Sequence, residues 1–337
     1  MSVDRTLPEE VTANSAFIQG RLPLAGRAFL DPLEQVAVWG ETWGANSEVG
    51  RLRHAIVRRP GSEFDAVDVS LWDDHLGAAF DPAGRWWWLS KEPPNLDRMQ
   101  AQHDNLVRTL EGFGIRTTVL SPLEGLYSKS IYMRDPFITV KGGAIVGRLA
   151  PQMRRGEEAS VTKALAGLGM PILGTIVGRG MVEGGTFSLI RPDLALYATS
   201  VRCNQEGAEQ LASILGYLGI RLITLPVSGF EFHLDGSFAM IDVDRALIVA
   251  EITPHWLPEL LRENGIHPIW VPLDQKWAIN GLTIEPGHYL MSNTASAAAE
   301  KLDRLGIRIT TIDYDAIELN GGGIHCSTNE LLRDDVD

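Results

Sequence analysis

Asn95-Leu-Asp-Arg-Met-Gln-Ala-Gln-His-Asp-Asn-Leu-Val-Arg-Thr-Leu-Glu-Gly-Phe-Gly-Ile-Arg-Thr-Thr-Val-Leu120 sets the pattern by which the rest of the chain is read. Met99, His103, Leu106 and Leu110 recur at three- and four-residue spacing, which predicts an amphipathic helix over 95–111. Gly114-Ile115 stops it, and the β-branched run Arg116–Leu120 reads as a strand. The order helix, glycine, strand then recurs. It reappears as Glu157–Leu168 with Gly169-Met170, and as Asn204–Leu218 with Gly219-Ile220 and the strand Arg221–Leu225. Further copies are Leu257–Asn264 with Gly265-Ile266, and Thr294–Leu305 with Gly306-Ile307 and the strand Arg308–Ile312. The five glycines lie 55, 50, 46 and 41 residues apart, and each suits the position where a left-handed residue ends a helix.

A second element alternates with the first, a turn of small residues opening an apolar strand. Its copies are Gly142-Gly143-Ala-Ile-Val146, Gly184-Gly185-Thr-Phe-Ser-Leu-Ile190, Gly236-Ser-Phe-Ala-Met-Ile241, Asn280-Gly281-Leu-Thr-Ile284 and Gly321–Gly323. Self-similarity at 40 to 55 residues is the mark of a repeat architecture, and five βαβ-type units closed in a ring predict a five-bladed, pseudo-symmetric α/β propeller. A closed ring is one domain, expected over residues 46–337. Residues 1–45, with Pro8, Pro23 and Pro32 and no clear period, read as an N-terminal extension.

Composition narrows the function classes. With 43 acidic against 30 basic residues the chain lacks the basic footprint that nucleic acid or an anionic membrane requires, whereas a small cationic ligand suits it. Two cysteines, Cys203 and Cys326, cannot build a disulfide framework and fit a reducing compartment. The first ten residues have no basic and apolar signal pattern, and the most apolar run, Ala164–Gly178, is too short to span a bilayer, so a cytoplasmic location is expected.

The residues that carry chemistry fall on the repeated turns. Leu319-Asn-Gly-Gly-Gly-Ile-His-Cys-Ser-Thr-Asn329 delivers Cys326 behind three glycines whose missing Cβ atoms let a ligand approach. Arg134-Asp135 precedes a strand, Glu183 precedes Gly184-Gly185, and His233-Leu-Asp235 precedes Gly236. Equivalent turns of a ring converge on one end of its channel, so Asp135, Glu183, His233, Asp235 and Cys326 are expected to meet there. Singly each has an ordinary explanation: a cap, a solvated charge, a core histidine, a buried thiol. A zinc set of His233, Asp235, His325 and Cys326 lacks the usual ligand spacing. Jointly, a thiolate with a histidine acid/base makes a covalent catalyst. Three carboxylates in one pocket call for a multi-donor cation, and a planar guanidinium matches them.

The set Tyr132-Met-Arg-Asp135, Glu183-Gly-Gly185, His233-Leu-Asp235 and Gly322-Gly-Ile-His-Cys-Ser327, with the early strand Glu48–Pro60, resembles that of the guanidino-group-modifying enzymes. These include arginine deiminases, dimethylarginine dimethylaminohydrolases and amidinotransferases, and the resemblance spans roughly Gly50 to Glu330. It implies the pentein fold, Cys326 as nucleophile, His233 as general acid/base, and Asp135, Glu183 and Asp235 as guanidinium ligands. Met153-Arg-Arg-Gly-Glu157 and Ser200-Val-Arg-Cys-Asn204 resemble sites where Arg154 or Arg155, with Arg202, clamp a substrate carboxylate. No metal or organic cofactor is implied, and homo-oligomerisation is left open.

Departures shape the expected specificity. Glu183-Gly-Gly185 is deiminase-like where amidinotransferases tend to carry aspartate, and His233-Leu-Asp235 is shared with deiminases and amidinotransferases but not dimethylaminohydrolases. The resemblance thus implies hydrolysis of an unsubstituted guanidinium, with amidino transfer to an amine as the alternative and a non-catalytic binding protein of the same fold as the remote one. Thr186 replaces an aspartate of many relatives, and Lys129 replaces a polar or acidic residue that helps bind the substrate's α-amino group, which leaves free L-arginine in question as substrate.

Overall fold

The computed structural model describes residues 26–123, 125, 127–227 and 231–336. The helices form where the apolar stripe predicts them, and each begins or ends on a residue suited to that place. Of the expected extension over 1–45, residues 1–25 lie outside the described residues. The remainder holds α1 (Pro32–Trp39), capped by Asp31, and Gly44, which bridges to Leu332. The helix α2 (Leu96–Gly112) starts where Asn95 accepts the N–H of Arg98, and it buries Met99, His103, Leu106 and Leu110. It is followed by α3 (Glu157–Leu168), α4 (Gln205–Tyr217), α5 (Leu257–Glu263) and α6 (Ser296–Arg304). Gly114, Gly169, Gly219, Gly265 and Gly306 all have φ between +74° and +86°, the left-handed stop that their spacing implied.

Six three-stranded sheets occur among the described residues, and five share one plan. In each, an antiparallel pair is extended by a parallel strand that returns through a helix. The strands β6 (Phe137–Val140), β7 (Gly143–Val146) and β8 (Ile172–Thr175) make one such unit. The next is β9 (Phe187–Arg191), β10 (Leu194–Thr199) and β11 (Arg221–Pro226). The third is β12 (Phe238–Asp242), β13 (Arg245–Val249) and β14 (His267–Val271). The fourth is β15 (Leu282–Glu285), β16 (His288–Ser292) and β17 (Arg308–Ile312). The fifth is assembled from both ends of the chain: β18 (Thr328–Arg333) lies antiparallel to β1 (Leu52–Arg58), which pairs in parallel with β5 (Arg116–Leu120). Ile56 faces Asn329 and Val57 faces Thr328, so the strand leaving Cys326 is held by the start of the domain.

The central strands are buried along nearly their whole length, as parallel strands covered on both faces should be. The helices close over them: Leu211 and Leu215 of α4 pack with Ile138, Ile145 and Tyr197, and Leu302 of α6 packs with Tyr289 and Met291. The sixth sheet, β2 (Trp72–Asp73), β3 (Ala78–Phe80) and β4 (Trp87–Trp88), is an antiparallel ribbon inserted between β1 and α2. It buries Trp86 and Trp88 against the core and carries Trp87 to the turn that precedes Cys326. No described helix is long and apolar enough to cross a membrane.

Candidate active site

Each of the five units contributes its site residues from the same place, the turn that enters its first strand. Asp135 precedes β6, Glu183 precedes β9, His233 and Asp235 precede β12, Asn280 precedes β15, and Cys326 precedes β18. Sequence-distant side chains therefore share one end of the molecule because the units repeat.

The Cys326 turn is built first. Gly321 has φ +94°, and a Cβ there would lie 1.8 Å from the Trp87 ring, so only glycine fits beneath the indole. The chain then makes the one-turn helix α8 (Ile324–Ser327, after α7, Asp315–Glu318), placing Cys326 8% exposed. Asn280 fixes it from the neighbouring unit: its Oδ1 accepts the N–H groups of Gly323 (2.9 Å) and Cys326 (3.1 Å), and its Nδ2 donates to Cys326 Sγ at 3.1 Å. Sγ lies 3.5 Å from Asp235 Oδ2, which also accepts from His325 Nδ1 at 2.8 Å.

Opposite stands an acid–imidazole cluster. His233 Nε2 donates to Glu183 Oε2 (2.7 Å), while its Nδ1 lies 3.5 Å from Asp135 Oδ1 and 4.0 Å from Asp235 Oδ1. Gly185 makes this approach possible, since a Cβ there would meet His233 Nδ1 at 2.8 Å and Asp135 Oδ1 at 2.9 Å. The Asp135 turn is itself anchored: Arg134 forms a two-bond ion pair with Glu330 of β18 (2.9 and 2.6 Å), and Asn329 donates to the carbonyls of Met133, Arg134 and Phe137.

Burial alone would neutralise these groups, and their neighbours decide otherwise. Burial pushes Glu183 up, but the His233 hydrogen bond and the charges of His233, Arg202 and Arg154 outweigh it and hold the carboxyl down at about 2. Burial pulls His233 down, yet Asp135, Glu183 and Asp235 raise it above its ordinary value, so the imidazole carries its proton more readily than usual. Burial drives the Cys326 thiol well up, and the charges of Asp235 and Asp135 add to this; the peptide N–H side of the turn and Asn280 oppose it only in part. The free site thus favours the protonated imidazole and the neutral thiol.

The predicted arginines are placed differently from one another. Arg154 is buried beneath the site rather than in it: its guanidinium binds Asp135, both oxygens of Glu157, and the carbonyls of Lys129 and Tyr132. These bonds all turn inward, and Arg154 does not line the cavity above Cys326. Arg155 is only half-buried and does not line the cavity above Cys326. Arg202 donates to Glu183 Oε2 (3.1 Å) and lies over the Phe232 ring at 4.7 Å, so in this structure it serves the Glu183–His233 couple.

Thr186 is fully buried behind Glu183 and bonds that residue's carbonyl and Cys203. Lys129 is buried too, its ammonium spent on the carbonyls of Trp87 (3.0 Å) and Asn320 (2.5 Å) and on Asn320 Oδ1 (2.8 Å), against the Trp87 ring. Burial depresses its pKa well below the ordinary lysine value, and its bonds tie the inserted ribbon to the Cys326 turn.

A cavity of about 100 Å³ opens above Cys326, lined by His233, Asp235, Asn280, Gly321 and Gly322 on its floor and by Glu231, Phe232, Lys276 and Trp277 toward its mouth. Asn280, Glu231 and Lys276 were not read as site residues from the sequence. Asn280 had a usable signal, because Asn280-Gly281 occupies the repeated turn; the other two lie on turns without one. Among the described residues, the metal-capable cluster is Asp135, Glu183 and His233, not the zinc set considered above, and its carboxylates already hold Arg154, Arg202 and the imidazole.

Comparison with known proteins identifies the family. The family model described as "N,N dimethylarginine dimethylhydrolase, eukaryotic" matches residues 87–333. The chain belongs to this family. A dimethylarginine dimethylaminohydrolase of Pseudomonas aeruginosa is 25% identical over 275 residues, covering 82% of this chain and 98% of the relative. The crystal structure of a P. aeruginosa dimethylarginine dimethylaminohydrolase variant in complex with citrulline superposes with TM-score 0.67 at 23% identity, covering 83% and 99% of the two chains. The inosamine-phosphate amidinotransferase of Streptomyces griseus superposes with TM-score 0.67 at 16% identity, covering 86% and 97%. The dimethylarginine dimethylhydrolase family lies within the guanidino-group-modifying pentein superfamily that the turn motifs resemble. This member carries Asp235, which the resemblance assigns to deiminases and amidinotransferases.

Proposed function

We propose that the protein is a cysteine-dependent hydrolase of the guanidinium group of arginine or an arginine-like compound. The observation that carries this is that Cys326, His233 and Asp235 line one cavity of small-molecule size, with Asp135 and Glu183 of two further units packed against His233 beneath it. The pairing of both chain ends in one sheet supports closure of the five units into a five-bladed ring, with residues 46–337 as a single catalytic domain.

In the proposed reaction the bound guanidinium lowers the cost of ionising Cys326, whose proton passes to solvent, and the thiolate attacks the guanidinium carbon. Asp135 and Asp235 hold the cation on either side of the imidazole. Protonated His233 then gives its proton to the departing nitrogen, which leaves as ammonia or an amine, and an amidino-thioether remains on Cys326. Neutral His233 next takes a proton from water, the hydroxide adds to the same carbon, and expulsion of the thiolate yields a ureido product. These steps need no metal or organic cofactor.

The test is a screen of guanidino compounds for ammonia or amine release by wild type and Cys326→Ser. Turnover lost in the variant, with a mass increase trapped on the Cys326 peptide on quenching, supports the reading; full activity in Cys326→Ser refutes it. Asp235 favours one second reading, amidino transfer to an amine, since the same first half-reaction serves both. Formation of an amidino-amine product in place of a ureido product when amines are added would select it.

A further inference from the structure

The guanidinium end of a substrate meets the cavity floor, and the far end must meet its mouth. The arginines expected to meet that far end are placed elsewhere, Arg154 on Asp135 and Glu157, Arg202 on Glu183 and Phe232, and Arg155 outside the cavity lining, while Lys129, which replaces a residue tied to α-amino binding, is held by three oxygen acceptors. None of them lines the cavity. The charged groups that line its mouth are Glu231 and Lys276, joined at 3.4 Å with side-chain exposures of 17% and 43%.

The two partners differ in fixity. Glu231 is the more buried, and its Oε2 is seated over Gly236, where a Cβ would come within 2.7 Å. Gly236 follows Asp235 directly, so the glutamate stands beside the floor that receives the guanidinium. Lys276 is half in solvent at the end of a flexible stem, and a loose pair at this exposure is weakly held. A partly buried carboxylate with an exchangeable counter-ion, flanked by Phe232 and Trp277 for an alkyl linker, suits a second cation.

Resting on the guanidino reading above, we propose that Glu231 is a specificity-determining carboxylate that binds a primary ammonium at the substrate's far end, with Lys276 the counter-ion it displaces. The ammonium has two chemical sources, the terminal amine of a guanidinoalkylamine and the α-amino group of a guanidino amino acid.

The experiment compares 4-aminobutylguanidine, L-arginine and 4-guanidinobutyrate as substrates of wild type, Glu231→Gln and Lys276→Gln, and measures their binding to the same proteins in a Cys326→Ser background. Both amine-bearing compounds should exceed 4-guanidinobutyrate in kcat/KM. Glu231→Gln should raise their KM by about 10- to 100-fold, a loss at least tenfold greater than for 4-guanidinobutyrate, because a charged hydrogen bond is removed. Lys276→Gln should leave their KM equal or lower. The first two compounds, compared with each other, separate the sources. A preference for 4-guanidinobutyrate, or an equal effect of Glu231→Gln on all three, overturns the proposal while leaving the hydrolase reading intact. If none of the three is turned over, the hydrolase reading rests on the wider guanidino screen, and the binding series still decides whether Glu231 selects an ammonium.

Discussion

Replacing Asn280 by aspartate tests how its side chain tunes the Cys326 sulfur. The side chain's Oδ1 receives the N–H groups of Gly323 and Cys326, while its Nδ2 donates to the sulfur at 3.1 Å. Asn280→Asp keeps the first function, since a carboxylate oxygen accepts both N–H groups, and exchanges the donor for a negative charge beside Sγ. A hydrogen bond to an ionised group contributes about 1.5–3 kcal/mol, so its loss should raise the thiol pKa further, and the added charge raises it more. The expected result is a fall in kcat/KM of about 10- to 100-fold or greater at neutral pH, with the fall shrinking as pH rises and the thiolate recovers. Thermal stability should fall too, because Nδ2 also donates to the Asp235 carbonyl at 3.1 Å, so the alkylation rate and not Tm isolates the effect on the sulfur. Asn280→Ala is the control: it strands two buried N–H donors and should lower stability by about 2–4 kcal/mol. Measurement of kcat/KM and of alkylation by a neutral reagent across pH checks the argument. An Asn280→Asp protein whose thiol alkylates at the wild-type rate, with unchanged kcat/KM, would show that the Nδ2 contact does nothing for the sulfur.

Three further outcomes follow from the same charges. Because burial and Asp235 hold the Cys326 thiol high, its reaction with neutral iodoacetamide should be slow at neutral pH and climb through pH 9 without an earlier plateau, whereas a cationic amidine reagent should label it far faster; equal rates would place thiol activation in the free protein. Glu183, lowered from 4.5 to about 2, contributes stability present above pH 4.5 and lost as pH falls toward 2, while His233, raised above 6.5, contributes stability present below 6.5 and lost as pH rises through its folded value. The Tm gap between wild type and Glu183→Gln should therefore be widest between pH 4.5 and 6.5, and a gap that does not vary with pH would deny the coupling. Arg202→Ala should lower kcat and shift its pH dependence, as befits a partner of Glu183; a rise in KM alone would restore the carboxylate-clamp role expected from the sequence.

Much of this was legible in the sequence because repetition is a local signal. The helix bounds 157–168 and the strands 116–120 and 308–312 stand where the pattern predicts them, and all five helix-ending glycines adopt positive φ. The turn residues Asp135, Glu183, His233, Asp235 and Cys326 could be grouped because a repeat makes distant positions equivalent. What the pattern could not show depends on three-dimensional pairing. Met153-Arg-Arg-Gly-Glu157 reads the same whether Arg154 faces solvent or turns inward, and only the proximity of Asp135 and Glu157 decides that it turns inward. The ribbon at 72–88 was likewise missed, since strands of two or three residues carry too little periodicity to register against three tryptophans in a row.

The pairing pattern also indicates how binding would prime the acid. Asp135 Oδ2 is bonded to Arg154 and Asp235 Oδ2 to His325, so the oxygens nearest the imidazole are Asp135 Oδ1, which also accepts the Gly185 N–H at 3.3 Å, and Asp235 Oδ1. In the free site these two anions help to hold the proton on His233. A guanidinium bound by the same oxygens satisfies their charge and brings a second cation beside the imidazolium, and both effects disfavour the protonated ring. The substrate therefore turns a strongly held proton into an available one at the moment its own nitrogen needs it, and the same positive charge lowers the thiol that had been kept neutral by burial. On the proposed chemistry, one bound cation brings both partners of the reaction into their working states, which explains how a site with a raised thiol and a raised imidazole can be competent without any fixed activating charge beside the sulfur.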